Sequence, residues 1–223
     1  MSDMNFEDAV RSRRSVRGFL QKPVPHDLMK KVFEIAQLSP SGTNIQPWQV
    51  YVASGEVRDN LRAEFIRRVQ EKISANPDRP DTGRIGEPWR ERRRDCAKVL
   101  FNAMDVEWED KPGRAAASFR NFEMFDAPHV LFIGMNEVFG ATTAADIGMY
   151  AQTLMLAMTA NGLASCPQGT MAHYPDLVRE TFDIADDVKI LFGISFGYED
   201  ESVPANKAIT TRASLDESVQ FLG

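Results

Sequence analysis

The stretch from Ala144 to Asn161 restricts the fold of this chain more than any other, because it is apolar on nearly every side of a helical projection. A surface helix keeps a polar face, whereas a helix that is apolar all round is buried. Gln152, Thr153 and Thr159 interrupt the stretch, which stays short of the roughly 20 apolar residues needed to cross a bilayer. We therefore expect a buried central helix that ends at Gly162, and no membrane span.

Composition and charge place the chain among ordinary globular proteins. Of its 223 residues, 43% are hydrophobic and 26% are charged, and the net charge is −6. This length favours one domain, 1–223, and the acidic balance argues against nucleic acid as a partner. Near the N-terminus arginines occur without a following apolar stretch, so we predict no secretory signal and a cytoplasmic protein. Cys96 and Cys166 lack metal-ligand spacing, which indicates buried thiols and neither a zinc site nor a disulfide.

Hydrophobic periodicity and turn residues predict helices and strands in an irregular order. Further helices are expected after the cap residue Asn5 and over 27–38, 57–72 and 174–182. Short strands are expected at 50–52, 130–133 and 190–196. The proline- and glycine-containing stretch 76–88 is typical of a surface loop and would suit a mobile lid. Because helices outnumber strands, we predict an α+β domain with one sheet under several helices.

An arginine-rich segment, residues 13–17, follows the first predicted helix. In an extended chain alternate side chains point the same way, so Arg13, Ser15 and Arg17 would present two guanidinium groups and a hydroxyl to one phosphate. The alternative is a basic turn that faces water, which is the more usual role of an isolated run of charges. The segment by itself leaves both interpretations open.

Two further polar segments follow predicted helices. Residues 39–48 contain two prolines, which restrict the path, together with Gly42 and side chains that can donate and accept at the edge of a flat heteroaromatic ring. Residues 162–170, interrupted by Pro167 and Gly169, can present successive backbone N–H groups along a ligand edge. Each segment would also serve as a simple connection that satisfies its own backbone.

Taken in order, these segments resemble the FMN-dependent nitroreductase family, including its iodotyrosine deiodinase-like and flavin-destructase-like branch. The resemblance covers nearly the whole chain and rests on four motifs: RRSVRGF, SPSGTNIQPW, DIGMYAQTLMLAMTANGLASCPQG and ILFGISFGYEDE. A lone RxSxR is a weak signal, whereas this ordered set is specific. It implies a mixed central sheet flanked by helices, in an intertwined homodimer.

The resemblance also implies which residues bind FMN. Those at the phosphate and ribityl end would be Arg13, Ser15, Arg17 and Arg212. Those reaching the flavin from the partner subunit, across the dimer interface, would be Pro40, Ser41, Gly42 and Asn44. Those lining the isoalloxazine edge near N5 and O4 would be Pro167, Gln168, Gly169 and Thr170.

Two positions qualify this assignment. Family members often carry a lysine or arginine two places before the last phosphate arginine, whereas this chain has Thr210, which leaves the phosphate with fewer cations. Some members place a polar side chain against the flavin from the segment before the strand at 130–133, a role that Arg120 or Asn121 would fill.

Other features point to different chemistry. Residues 193–197 match the GxSxG nucleophile elbow of hydrolases, but no histidine follows Ser195, and a buried strand end is the better interpretation. The basic run 84–98 is interleaved with acidic residues, which favours a solvated helix face over a nucleic-acid patch. Trp89 and Trp108 would either pack or shape an aromatic substrate channel.

We therefore predict a homodimeric FMN oxidoreductase that takes a hydride from NAD(P)H and reduces a nitroaromatic or similar flat electron acceptor, a small aromatic substrate. One pocket would serve donor and acceptor in turn, which implies ping-pong kinetics, and no side chain is assigned as a catalytic acid or base. Two alternatives stay open. One is reductive dehalogenation or another flavin reduction on the same scaffold, and the other is a flavin-binding protein without turnover.

Overall fold

The structure, a computed structural model, describes residues 4–79 and 85–223. Within these ranges there are seven α-helices: α1 (Phe6–Ser12), α2 (His26–Ala36), α3 (Gly55–Gln70), α4 (Trp89–Ala103), α5 (Lys111–Phe119), α6 (Ala141–Ala160) and α7 (Pro175–Phe182). The same ranges contain four β-strands: β1 (Gln49–Ser54), β2 (His129–Asn136), β3 (Ala164–Gln168) and β4 (Val188–Gly197). The predicted α+β class, with one sheet beneath several helices, is confirmed.

The four strands form one sheet in the order β1-β2-β4-β3, and every neighbouring pair is antiparallel. One parallel pairing occurs in the described residues, a single bridge between Ser15 and Ser165. The mixed character of the sheet is therefore limited to the point where the arginine-rich segment lies beside β3.

The sheet separates two apolar layers, because successive residues of a strand point to opposite faces. On β2, Leu131 and Ile133 face the layer that contains α2 and α6. Val130 and Phe132 face the layer that contains α3 and α7. A strand covered on both faces explains the unbroken apolar run at 130–133.

The predicted central helix is confirmed as α6. Tyr150, Leu154 and Met158 are almost completely buried, and the ring of Trp48 stacks on Tyr150 at 4.8 Å between centroids. Gly162 follows the helix with a φ of 75°, which favours glycine. Among the described helices, none is long and apolar enough to cross a membrane.

Several differences from the sequence predictions lie between residues 76 and 120. Residues 80–84 of the predicted loop and lid lie outside the described residues. The solvated helix predicted from the basic run is present as α4, whose inward contact comes from Phe101. Cys96, which we predicted to be a buried thiol, is exposed and lines an open cavity between α4 and residues 210–213. Cys166 is buried as predicted.

The sequence analysis did not predict helix α5. Its first turn is capped by Asp110, whose carboxylate accepts from the Gly113 N–H at 3.0 Å. Trp108, just before it, packs on Phe101 at 6.1 Å and carries the Arg114 guanidinium over its ring at 4.8 Å. These contacts favour the packing interpretation of Trp108.

Candidate functional site

The arginine-rich segment runs beside the edge strand β3. The Val16 N–H donates to the Ser165 carbonyl at 3.1 Å, and the Val16 side chain is buried. Arg14 points elsewhere and forms an ion pair with Glu199. This alternation leaves Arg13, Ser15 and Arg17 on the other side of the segment, as the extended conformation predicts.

These three side chains meet around the buried thiol of Cys166. Burial raises the pKa of that thiol to about 11, against the opposing influence of the Arg17 charge, a hydrogen bond with the Ser15 side chain and the Arg13 charge. At this pKa the thiol stays protonated near neutral pH, so it supplies no negative charge to the arginines.

Arg212 from the C-terminal tail completes a group that we call the arginine cluster (Arg13, Arg17 and Arg212). The pKa of Arg13 is lowered, first by burial and then by the positive charge of Arg212. The Arg212 Nη1 donates to the carbonyl and hydroxyl oxygens of Thr210 at 3.2 and 3.0 Å, so the residue found in place of a family cation orients this arginine.

No ion pair in the described residues joins a carboxylate to any member of the arginine cluster, whereas the neighbouring Arg14 has one. Like charges gathered without a counter-charge repel one another, and an anion bound among them removes that cost. The geometry therefore favours an anion site over the basic turn that faces water.

The predicted loop Pro40–Asn44 lies apart from this cluster. Its residues are largely exposed, and in the described chain no hydrogen bond or ion pair links them to the other predicted site residues. The Gly42 N–H donates to the Asp146 carboxylate on α6 at 3.1 Å, which anchors the loop. Thr43 and Asn44 have φ values of 49° and 60°, a conformation that is strained for a β-branched residue such as Thr43.

Residues 167–170, which we call the β3-end segment, differ from the connecting loop that the sequence suggested. Strand β3 runs through Gln168, and a short 3-10 turn over Gly169–Ala172 follows it. Pro167 is accommodated because β3 is an edge strand. Pro167 and Gly169 are exposed, while Gln168 between them is 3% exposed.

The side chain of Gln168 is therefore turned away from the position expected of a flavin-lining group. Its amide accepts from the Ser195 hydroxyl and donates to Asn121, so only its backbone is available at the exposed edge. Thr170 differs, because its Oγ1 is buried without a hydrogen-bond partner among the described residues. Gly169 also leaves room, since a Cβ there would have no neighbour within 4 Å.

Arg120 and Asn121 both have hydrogen-bond or ion-pair partners within the protein. Arg120 forms ion pairs with Glu123 and Asp126, each at 2.7 Å. Asn121 accepts from Gln168 and donates to the Ser118 carbonyl at 3.0 Å. Arg120 nevertheless lines a cavity of about 130 Å³ that it shares with Arg17 and Phe125. The turn therefore adjoins the arginine cluster, although neither side chain is free.

The GxSxG motif forms no nucleophile elbow. Ser195 is completely buried within β4, where its neighbours across the sheet are Val130 and Cys166. The nearby His129 uses both ring nitrogens elsewhere, with Ser54 and the Val24 N–H. The predicted buried strand is thus confirmed.

Comparison with known proteins gives a consistent result. The family model described as the nitroreductase family matches residues 10–198. Nitroreductase NfnB of Mycolicibacterium smegmatis is 37% identical over 217 residues, covering 96% of this chain and 92% of the relative. A 4-nitrobenzoate reductase of Pseudomonas putida is 31% identical, covering 98% of this chain and 96% of the relative.

Solved structures agree with this result. The FMN-dependent nitroreductase NfnB from Mycobacterium smegmatis, in complex with NADPH, has a TM-score of 0.92 at 37% identity and covers 97% of each chain. The FMN and NADPH-dependent nitroreductase NfnB from Sphigopyxis sp. strain HMH has a TM-score of 0.94 at 35% identity, covering 98% of this chain and 99% of that one. The chain therefore belongs to the nitroreductase family, as its ordered motifs predicted.

Proposed function

We propose that this protein is an FMN-dependent oxidoreductase that uses NAD(P)H to reduce nitroaromatic or similar flat electron-accepting compounds. The observation that carries the proposal is the arginine cluster, which gathers positive charge beside the Ser15 hydroxyl with no carboxylate partner in the described residues. Guanidinium groups bind phosphate through paired hydrogen bonds. The terminal phosphate of FMN supplies the anion that this cluster lacks.

The β3-end segment suits the flat ring of the same cofactor. The open backbone at Gly169 permits close approach, and the buried Thr170 Oγ1 would gain a partner from a ring heteroatom. The groups that would hold the ring edge are Pro167, the Gln168 backbone, Gly169 and Thr170. When bound, FMN supplies the hydride and electron transfer, while the chain binds and orients it.

The relatives support the reductant and the acceptor class. One solved relative holds NADPH, and another relative is a 4-nitrobenzoate reductase. Donor and acceptor would occupy one pocket in turn, which gives ping-pong kinetics. We assign no side chain as an acid or base.

Anaerobic mixing of the yellow protein with NADPH tests the proposal. We expect the flavin absorbance to bleach and then to return on addition of a nitroaromatic acceptor, whereas a flavin-binding protein without turnover keeps its colour. The same stopped-flow measurement with quinone and halotyrosine acceptors separates nitro reduction from other flavin reduction and from reductive dehalogenation. A comparison of NADH with NADPH gives the preferred donor.

The purified protein is expected to carry FMN rather than FAD. The arginine cluster fits a terminal phosphate, and the sequence has no GxGxxG fingerprint for a dinucleotide. Mass spectrometry of the extracted cofactor decides between the two. Recovery of FAD, or of no flavin under any reconstitution condition, would contradict the proposal.

We also propose that the enzyme is a homodimer with its FMN sites at the dimer interface. The apolar side chains of α6 give little support for a second subunit, because Tyr150, Leu154 and Met158 are buried within their own chain. Better support comes from the exposed loop Pro40–Asn44 and from the C-terminal tail, where Phe221 and Leu222 are 79% and 87% exposed. A second copy would cover this apolar tail.

If the loop reaches the flavin of the other subunit, FMN binding is linked to association. We expect the FMN-loaded protein to stay dimeric on dilution and the flavin-free protein to dissociate more readily, as measured by analytical ultracentrifugation across concentrations. A loaded protein that sediments as a stable monomer of about 25 kDa and still oxidises NADPH would contradict the shared site.

The cytoplasm is the compartment that we propose. Both cysteines are free thiols, which is usual where the thiol pool is kept reduced.

A further inference from the structure

A buried polar chain links the end of β3 to the turn after α5. The Ser195 hydroxyl, completely buried, donates to the Gln168 Oε1 at 2.6 Å. The Gln168 Nε2 donates to the Asn121 carbonyl at 2.9 Å and lies 3.3 Å from its Oδ1. Three segments that are distant in sequence are thus joined through two side chains with almost no access to water, those of Ser195 and Gln168, and through the half-buried Asn121.

The chemistry of Asn121 sets the direction of these hydrogen bonds. A backbone carbonyl only accepts, so the Gln168 amide must present its nitrogen to Asn121. Its oxygen then faces Ser195, which must donate. A flipped amide would place two acceptors together at Asn121 in a buried position, which is costly. Ser195 is therefore the donor that keeps the Gln168 side chain turned inward.

The glycines on either side of Ser195 allow neighbouring segments to pack closely against β4. A Cβ at Gly193 would lie 2.7 Å from the Met171 Cβ and 3.0 Å from the Leu131 carbonyl oxygen. The absence of that Cβ lets the turn after β3 fold back over β4. A Cβ at Gly197 would lie 2.7 Å from the Pro128 ring. All three fixed positions of the GxSxG pattern thus have packing or hydrogen-bonding roles.

The inward side chain of Gln168 decides which groups of the β3-end segment face outward. Successive side chains of a strand alternate, so burial of Gln168 places Pro167 and Gly169 on the exposed side. It also sets the start of the turn that carries Thr170.

We propose that Ser195 is a positioning residue for the flavin, because its hydroxyl orients the Gln168 amide and so holds the β3-end segment in register against the ring edge. This inference rests on the proposed FMN-dependent function. Ser195 touches neither cofactor nor substrate in this assignment and acts only through Gln168.

The variant Ser195→Ala tests the proposal, and Ser165→Ala is its matched control. Both remove one buried hydroxyl from adjacent strands, but the Ser165 Oγ has no hydrogen-bond partner in the described residues. In the flavin-free protein we expect faster backbone hydrogen exchange over residues 168–172 in Ser195→Ala only, measured by mass spectrometry. In the loaded protein we expect a shifted flavin reduction potential and a hydride-transfer rate from NADPH that is slower by roughly tenfold or more.

A double-mutant cycle with Gln168→Leu separates positioning from general destabilisation. If Ser195 acts through Gln168, the double variant should transfer hydride no more slowly than the slower single variant. If Ser195→Ala does not fold, Ser195→Cys takes its place, since it keeps a side chain of similar shape with a weaker donor.

The outcomes are distinct. The inference is overturned if Ser195→Ala has the same hydrogen-exchange rate, flavin reduction potential and hydride-transfer rate as the unmodified protein. It is also overturned if Ser165→Ala changes these three quantities as much as Ser195→Ala does. Additive losses in the cycle also overturn it. If the unmodified protein neither binds FMN nor reacts with NADPH, the proposed function fails instead, while the exchange measurement on flavin-free protein still reports on the Ser195–Gln168 link.

Discussion

The double variant Arg17→Ala/Arg212→Ala is expected to bind FMN about 100-fold more weakly or worse. Hydrogen bonds to charged groups contribute about 1.5 to 3 kcal/mol each, so each single variant should lose roughly 10-fold to 150-fold in affinity. Removal of one arginine also relieves the repulsion among those that remain, so the losses need not add fully. Fluorescence titration of flavin-free protein with FMN measures them.

Arg11→Ala is the matched control for these variants. Arg11 lies in the same N-terminal region, but it is exposed and pairs with Glu7 within α1. Its removal should leave FMN affinity unchanged and change stability little, because exposed ion pairs contribute about 0 to 1 kcal/mol. If the affinity for FMN is unaltered in both Arg17→Ala and Arg212→Ala, these arginines do not bind the phosphate, and the basic turn that faces water is the better interpretation.

Acid is expected to destabilise the folded protein through His129, by up to roughly 3 kcal/mol between pH 6.5 and pH 4. The ring is 4% exposed, and its Nε2 accepts from the Val24 N–H at 2.9 Å. The Nδ1–H is then left to donate to the Ser54 hydroxyl at 2.5 Å. Burial, followed by the positive charge of Arg58, lowers the pKa of His129 to about 4.

The direction of this pH effect follows from the protonation of His129 in the unfolded and folded states. The unfolded chain takes up a proton on this histidine below pH 6.5, whereas the folded protein resists it until about pH 4, because a second N–H would face the Val24 N–H. The free energy of unfolding therefore falls as the pH falls through this window, and His129 contributes no further change below it.

Urea unfolding of the unmodified protein and of His129→Gln across this pH range measures the effect. Burial also lowers the pKa of His173, so the informative quantity is the difference between the two pH profiles. His26→Gln, at an exposed position, is the control and should keep the slope of the unmodified protein. Parallel profiles for the unmodified protein and His129→Gln would show that His129 is not responsible.

Local sequence patterns predicted the helices and strands whose own apolar residues are enough to show that they are buried. The apolar stretch became α6, whose buried residues form much of the apolar layer that it shares with α2. The apolar run at 130–133 became the core of β2, because that strand has an apolar layer on each face. Helix α5 was missed because its short apolar pattern is interrupted by Pro112 and Gly113, which usually indicate a turn.

Some features of the candidate site were likewise predicted from the sequence, and others were not. The N-terminal arginines were predicted from spacing together with the ordered motifs, and the structure places Arg212 beside Arg13. The inward turn of the Gln168 side chain was not predicted, since which side of a strand is buried depends on its pairing register, and a shift of one residue reverses every side chain. The exposure of Cys96 was missed for a similar reason, because it depends on the side on which α4 packs.

The sequence by itself determined the family, the α+β class and the central helix, because these depend on composition, periodicity and motif order along the chain. Only the tertiary structure decided three further features. Arg13, Arg17 and Arg212 have no carboxylate partner within residues 4–79 and 85–223, the Ser195 hydroxyl donates to the buried Gln168 amide, and His129 ties β2 to Val24 and Ser54. The reason is that these contacts join segments far apart in the chain. Strand register and close packing bring such segments together, and neither is encoded in the spacing of residues along one segment.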